Sequence, residues 1–248
     1  MIKFFSNLLS IFCVCAATVF AQNPLPDPYD KVELLPFDGH GWFANASQLE
    51  VLIKTHNVKT VIEIGCWLGC STRFIASLLP EGGKLYGVDH WLGSSEHQPG
   101  ANAYHLALPV LYEQFLSNVI HAGLTDKIIP IRMPSLDAAL YLTTLDTPIA
   151  PDLIYIDAGH ETELVYADLN AWYPYVQEHG ILCGDDWCWG SVQLAVTQFA
   201  QEHGLYIKAS DNFWQLTKTQ EVIKQQNPAK KNKVKIKSKK RQQLINLR

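Results

Sequence analysis

The 248-residue chain is 48 % apolar and 18 % charged, which supplies one well-filled core and excludes collagen-like, wholly disordered and small disulfide-scaffold classes. Its net charge of −4 hides an asymmetry, because residues 219–248 hold ten Lys/Arg against one acid and leave −13 on the first 218. The one long apolar run lies at the N-terminus, so a polytopic membrane protein is excluded too.

That run comes first in chain order. Residues 1–21 place Lys3 ahead of an apolar stretch from Leu8 to Phe20, then small Ala21 and the proline-rich QNPLPDPYD. The layout predicts a secretory signal peptide, with an uncleaved membrane anchor as the alternative. The protein is accordingly expected to be exported or membrane-anchored, and cytoplasmic if an uncleaved anchor faces inward. Residues 22–49 read as a lead-in. Within it Leu35 to Phe43 mixes aromatics with a turn, and either covers an open substrate side or packs as a plain lead-in.

Alternating strands and helices follow. Lys59–Ile64 is a β-branched run ending at Gly65, and Ser71 is placed to cap a helix over Thr72–Leu79. Pro80-Glu81-Gly82-Gly83 breaks that helix, and Lys84–Val88 forms a second strand closing on Asp89. A polar loop leads to a helix over Tyr104–Ala122, a third strand over Lys127–Ile131, and a helix starting at Ser135. Asp152–Ile156 is a fourth strand ending at Asp157, with a helix over Glu161–Trp172. Gly180–Cys183 is a fifth strand before Asp185-Asp186, and a helix over Ser191–Glu202 precedes a closing pair, Leu205–Ala209 and Phe213–Leu216. The fold class is α/β: a mostly parallel sheet covered on both faces, with one strand of the last pair antiparallel. Such a sheet binds its ligands at the carboxyl ends of its strands.

The suspicious residues sit at those ends. Gly65 and Gly69 stand four apart between strand and helix, which suits a sharp turn and a close backbone approach. The spacing is not GxGxxG, and no lysine follows Gly69, so neither a dinucleotide fingerprint nor a P-loop is present. Asp89, 24 residues after Gly65, is at the distance of an acid that holds ribose hydroxyls, or is a turn aspartate. A nucleoside ligand without phosphate chemistry points to S-adenosylmethionine. Farther on, Asp157, Asp185 and Asp186 gather with His160 at two adjacent strand ends. Clustered carboxylates repel unless something positive lies between them, and oxygen donors suit Mg²⁺ or Ca²⁺ better than zinc. Cys66, Cys70, Cys183 and Cys188 lack zinc-knuckle spacing; they read as core or loop residues, with a disulfide open to an exported chain.

Taken together, the glycine loop, the Gly-Val-Asp strand end, DLIYIDAGH and GILCGDDW resemble a class I S-adenosylmethionine-dependent methyltransferase. The bacterial group that includes the macrocin-type sugar O-methyltransferases is most similar, with catechol O-methyltransferases more distant. The resemblance spans Glu50 to Leu216. It implies a Rossmann-like, seven-stranded sheet with an antiparallel final strand, and a methyltransferase domain over residues 50–218. It further implies that Glu63, Gly65 and Gly69 line the methionine end of the cofactor, and that Ser71 bonds its carboxylate. Asp89 would hold the ribose and Ser135 would approach the adenine. Asp157, Asp185 and Asp186 would bind Mg²⁺, with Asp157 and His160 in the catalytic roles and His160 as general base or, alternatively, a buried structural histidine. The implied reaction is Mg²⁺-assisted O-methylation of a small hydroxylated substrate, a sugar among the options. Two features depart from the family: Cys66 and Cys70 in the loop, and the signal-like N-terminus. The second raises an alternative, an exported non-catalytic adenosyl-ligand binder or interaction protein on the same fold. The basic tail, residues 219–248, is expected to be disordered and to contact anionic lipid or nucleic acid only non-specifically.

Overall fold

The β-branched run at Thr60–Ile64 forms strand β1, buried on both faces as a central parallel strand must be. This computed structural model describes residues 24–100 and 103–218; the expected signal peptide and basic tail lie outside the described residues. In chain order the elements are α1 (Ala46–His56), β1, α2 (Cys70–Leu78), β2 (Lys84–Asp89) and α3 (Leu111–His121). Then come β3 (Ile128–Arg132), α4 (Ser135–Leu142), β4 (Leu153–Ile156) and α5 (Thr162–Trp172). The chain closes with β5 (Ile181–Gly184), α6 (Gly190–His203), β6 (Tyr206–Ser210) and β7 (Phe213–Thr217).

The seven strands form one sheet in the order β3-β2-β1-β4-β5-β7-β6, in which β7 runs antiparallel to both of its neighbours. This is the Rossmann-like sheet that the sequence implies. Residues of β1 alternate between two cores: Val61 packs with Leu49, Ile75 and Phe115, while Ile62 and Ile64 pack with Leu169, Trp172 and Phe199. Helices α1 to α3 therefore cover one face and α4 to α6 the other. The strand order reverses between β1 and β4, and that switch point opens a crevice at their carboxyl ends.

Three local readings change. Helix α1 straddles the expected boundary between residues 49 and 50, and the lead-in before it belongs to the core. Tyr29 is buried and its hydroxyl donates to the Ile128 carbonyl at 2.9 Å. Helix α2 starts at Cys70 behind Gly69, so Ser71 lies in the first turn and caps nothing. The helix expected over Tyr104–Ala122 begins only at Leu111, preceded by short 3-10 turns at Ala103–Leu106 and Leu108–Val110. Pro109 is the reason, since it lacks an N–H and its ring crowds the preceding turn. All four cysteines outside the N-terminal run are free, and among the described residues no helix is long and apolar enough to cross a membrane.

Candidate active site

The loop after β1 is shaped by its glycines and held by one acid. Gly65 has φ of 85°, and a Cβ there would lie 1.9 Å from the Asp157 carbonyl oxygen, so only glycine fits against the end of β4. Gly69 has φ of 79° and sits where α2 begins. Between them Trp67 also adopts a left-handed backbone. Asp89, at the end of β2, holds this shape: its Oδ2 accepts the N–H groups of Cys66 (2.9 Å) and Trp67 (3.0 Å). Its Oδ1 accepts the Trp91 N–H at 2.7 Å. Beneath the loop the Ser71 hydroxyl donates to Glu63, which is wholly buried. Burial pushes the Glu63 carboxyl up to about 7.

A two-lobed cleft opens over this loop. The larger lobe, about 590 Å³, is bounded by Gly65, Ser71, Asp157, Asp185, Asp186 and His160, together with Trp42 of the lead-in. The smaller lobe, about 120 Å³, reaches Asp89, His90 and Gly93. Gly65, Trp67, His97 and Asp157 line both. Trp67 stacks on His97 with ring centroids 4.5 Å apart, and both residues border both lobes.

At the ends of β4 and β5 the charges are arranged in pairs. His160 Nε2 lies 2.8 Å from Asp186 Oδ2, and His160 Nδ1 lies 3.4 Å from Glu96 Oε2. Its ring stacks on Trp189 at 4.8 Å. The Asp186 bond raises the His160 pKa and favours the imidazolium. Asp185 Oδ1 accepts the Asp186 N–H and the Asn212 carboxamide, while Asp185 Oδ2 accepts the Tyr155 hydroxyl at 3.1 Å. Asp157 differs. Among the described residues none hydrogen-bonds its carboxylate, and burial, followed by the charge of Asp185, holds its pKa well above the usual range.

A family profile described as "Methyltransferase domain" matches residues 62–187, from within β1 to just past β5. The chain belongs to the methyltransferase-domain family. Solved structures agree on the fold. The O-methyltransferase from Bacillus cereus, in complex with SAH, aligns with a TM-score of 0.53 at 17 % identity, covering 73 % of this chain and 83 % of that one. The O-methyltransferase TomG from Streptomyces achromogenes, in complex with SAM, aligns at 0.54 and 14 % identity, covering 74 % and 83 %.

In this methyltransferase Gly65, Ser71, Asp89, Asp157, His160, Asp185 and Asp186 all line the cleft. Glu63 and Gly69 lie just behind it, shaping the loop without lining either lobe. Ser135 stands apart: its hydroxyl donates to Asp168 and accepts the Trp172 indole N–H at 2.8 Å, and it lines neither lobe. The expected magnesium site is not assembled. Among the described residues no group of three or more His, Cys, Asp or Glu side chains could hold a metal. Asp185 accepts hydrogen bonds from Tyr155, Asn212 and a backbone amide, and Asp186 Oδ2 pairs with His160. Sequence reasoning missed Glu96 and Asn212. Glu96 sits in a polar loop with no periodic signal. Asn212 reads as an ordinary turn residue, although the β6–β7 pairing carries that turn back to Asp185.

Proposed function

We propose that this methyltransferase moves a methyl group from S-adenosylmethionine to a hydroxyl of a small acceptor bound in the larger lobe. The carrying observation is Asp157, which lines both lobes with a carboxylate that accepts no hydrogen bond among the described residues. The adenosyl ligands named for both structural relatives support the cofactor, as does a glycine loop without phosphate-binding features. When bound, S-adenosylmethionine supplies a sulfonium-activated methyl group, which leaves alignment and proton removal to the protein. The first turn of α2, with Ser71 facing the larger lobe, favours the cofactor's carboxylate by its free N–H groups and dipole. Asp157 accepts the proton of the acceptor hydroxyl. His160, held between Asp186 and Glu96, acts as a fixed positive charge beside that carboxylate and not as the base.

Asp185 and Asp186 already accept protein hydrogen bonds from Tyr155, Asn212 and His160, and the proton transfer to Asp157 proposed here is written without a metal ion. Charge also limits the acceptor. Among the described residues the larger lobe is lined by Glu96, Asp157, Asp185 and Asp186 and by no Lys or Arg, so phosphorylated and carboxylated acceptors are repelled. Neutral or cationic hydroxylated molecules suit it, and the indoles of Trp42 and Trp189 offer flat faces for a sugar or aromatic ring. Calorimetry with S-adenosylhomocysteine, followed by transfer of a labelled methyl group to neutral, cationic and anionic hydroxylated acceptors, tests the proposal. It predicts binding, with transfer confined to the first two acceptor classes. No binding would defeat it; binding without transfer to any acceptor would favour the non-catalytic adenosyl-ligand binder. The address of the protein is a separate proposal. Residues 1–21 direct export or anchoring, which fractionation and N-terminal sequencing test.

A further inference from the structure

We infer that Asn118 is a positioning residue that locks the acceptor-side wall of the cleft to the cofactor loop. This rests on the reading of the β1–α2 loop as the cofactor site. Asn118 is fully buried on α3, and its carboxamide uses every hydrogen bond available to it. Nδ2 donates to the Leu68 carbonyl of the loop at 2.9 Å and to the Asp38 carbonyl of the lead-in at 2.7 Å. Oδ1 accepts the Asp38 N–H at 2.9 Å and the Gln114 carboxamide at 3.1 Å. One side chain thus ties together two segments 30 residues apart in sequence (Asp38 and Leu68).

The lead-in touches the loop at further points just beyond Asp38. The Trp67 indole N–H donates to His40 Nδ1 at 3.4 Å, and the Trp42 and Trp67 rings lie 5.7 Å apart. Gly41 fits against the start of α2 so closely that a Cβ would come within 2.8 Å of the Cys70 Cβ. The same stretch, Gly41 to Ala44, forms part of the wall of the larger lobe. A seal between helix and lead-in would need only the two Asp38 bonds. The third bond, to Leu68, makes the wall follow the loop, so that occupancy of the cofactor site sets the shape presented to the acceptor.

The test uses S-adenosylhomocysteine on the full chain, read by calorimetry and by amide hydrogen exchange. Asn118→Asp keeps the size but cannot donate to the Leu68 and Asp38 carbonyls. Gly41→Ala spares all four bonds and wedges the wall away from Cys70, so it remains informative if the first variant fails to fold. In the wild type the ligand should slow exchange across residues 38–44. Each variant should lose that response and bind the ligand at least tenfold more weakly, while β4 and β5 stay protected. Wild-type binding without a response in residues 38–44, or variants that keep affinity and response, would overturn the inference and leave the cofactor reading intact. No binding to the wild type would defeat the cofactor reading, and the inference with it.

Discussion

Gly65 and Asp157 meet across the switch point of the sheet: the Asp157 N–H donates to the carbonyl of Ile64 at 2.8 Å, and the Asp157 carbonyl fills the place of a residue-65 side chain. The contact brings the glycine loop and the acid-bearing end of β4 together into one floor. Gly65→Ala places a methyl group against backbone that cannot turn aside, at a φ that disfavours any side chain. The variant should lose about 2–4 kcal/mol of stability and most affinity for S-adenosylhomocysteine. Thermal melts and calorimetry check both.

Asp168 gives a pH-dependent prediction away from the cleft. Burial pushes its carboxyl up to about 6, offset in part by the Ser135 hydroxyl bond. An unfolded aspartate titrates near 3.9. Below about pH 4 both states hold the proton and the residue costs nothing. Between about pH 4 and 6 the native state alone keeps it, so stability falls as pH rises and stays lowered above pH 6. Asp168→Asn removes this cost. Its stability relative to wild type should rise from near zero at pH 4 to about 1–3 kcal/mol at pH 8, read from denaturant melts. A pH-independent difference would refute the assignment.

The central strands were legible because β1, β4 and β5 are short apolar runs closed by a glycine or an acid, and such runs have nowhere to go but a buried sheet. Helix α1 was not, since of its apolar residues Leu49, Val51, Leu52 and Ile53 only Leu49 and Ile53 are buried, and the aromatic lead-in runs directly into it. In the site, backbone position was readable and bonding was not. The sequence brings Asp157, Asp185 and Asp186 to neighbouring strand ends, where they are. It cannot say that Tyr155, Asn212 and His160 claim the last two, because those partners arrive through sheet register and a hairpin turn. Ser135 shows the converse. Its place after β3 suits an adenine contact, yet Asp168 and Trp172, both on α5, turn its hydroxyl away.

Asp89 should prove to be a loop clasp as well as a ribose contact. Three of its acceptor sites are already filled by the N–H groups of Cys66, Trp67 and Trp91. Asp89→Ala leaves those amides without their acceptor, which costs about 1–3 kcal/mol of stability. Ligand affinity should fall in parallel. A variant with wild-type melting and weakened S-adenosylhomocysteine binding would mean that the carboxylate serves the ribose alone.

The division of labour between Asp157 and His160 is the sharpest test of the chemistry. Both ring nitrogens of His160 face carboxylates, Asp186 at 2.8 Å and Glu96 at 3.4 Å, which stabilises the imidazolium and leaves no lone pair for a substrate proton. The Asp157 carboxylate lines both lobes and, among the described residues, accepts no hydrogen bond; burial, followed by the charge of Asp185, raises its pKa and so its basicity. Asp157→Asn should therefore lower kcat by roughly 10²–10⁴-fold, the usual share of a general base, while S-adenosylhomocysteine still binds. His160→Gln, which keeps a polar group between Asp186 and Glu96, should cost no more than about tenfold. Chelator should leave turnover unchanged if Asp157 takes the proton unaided by a divalent ion. A larger loss for His160→Gln than for Asp157→Asn would return the base to the histidine, and loss of turnover in chelator would restore the magnesium ion.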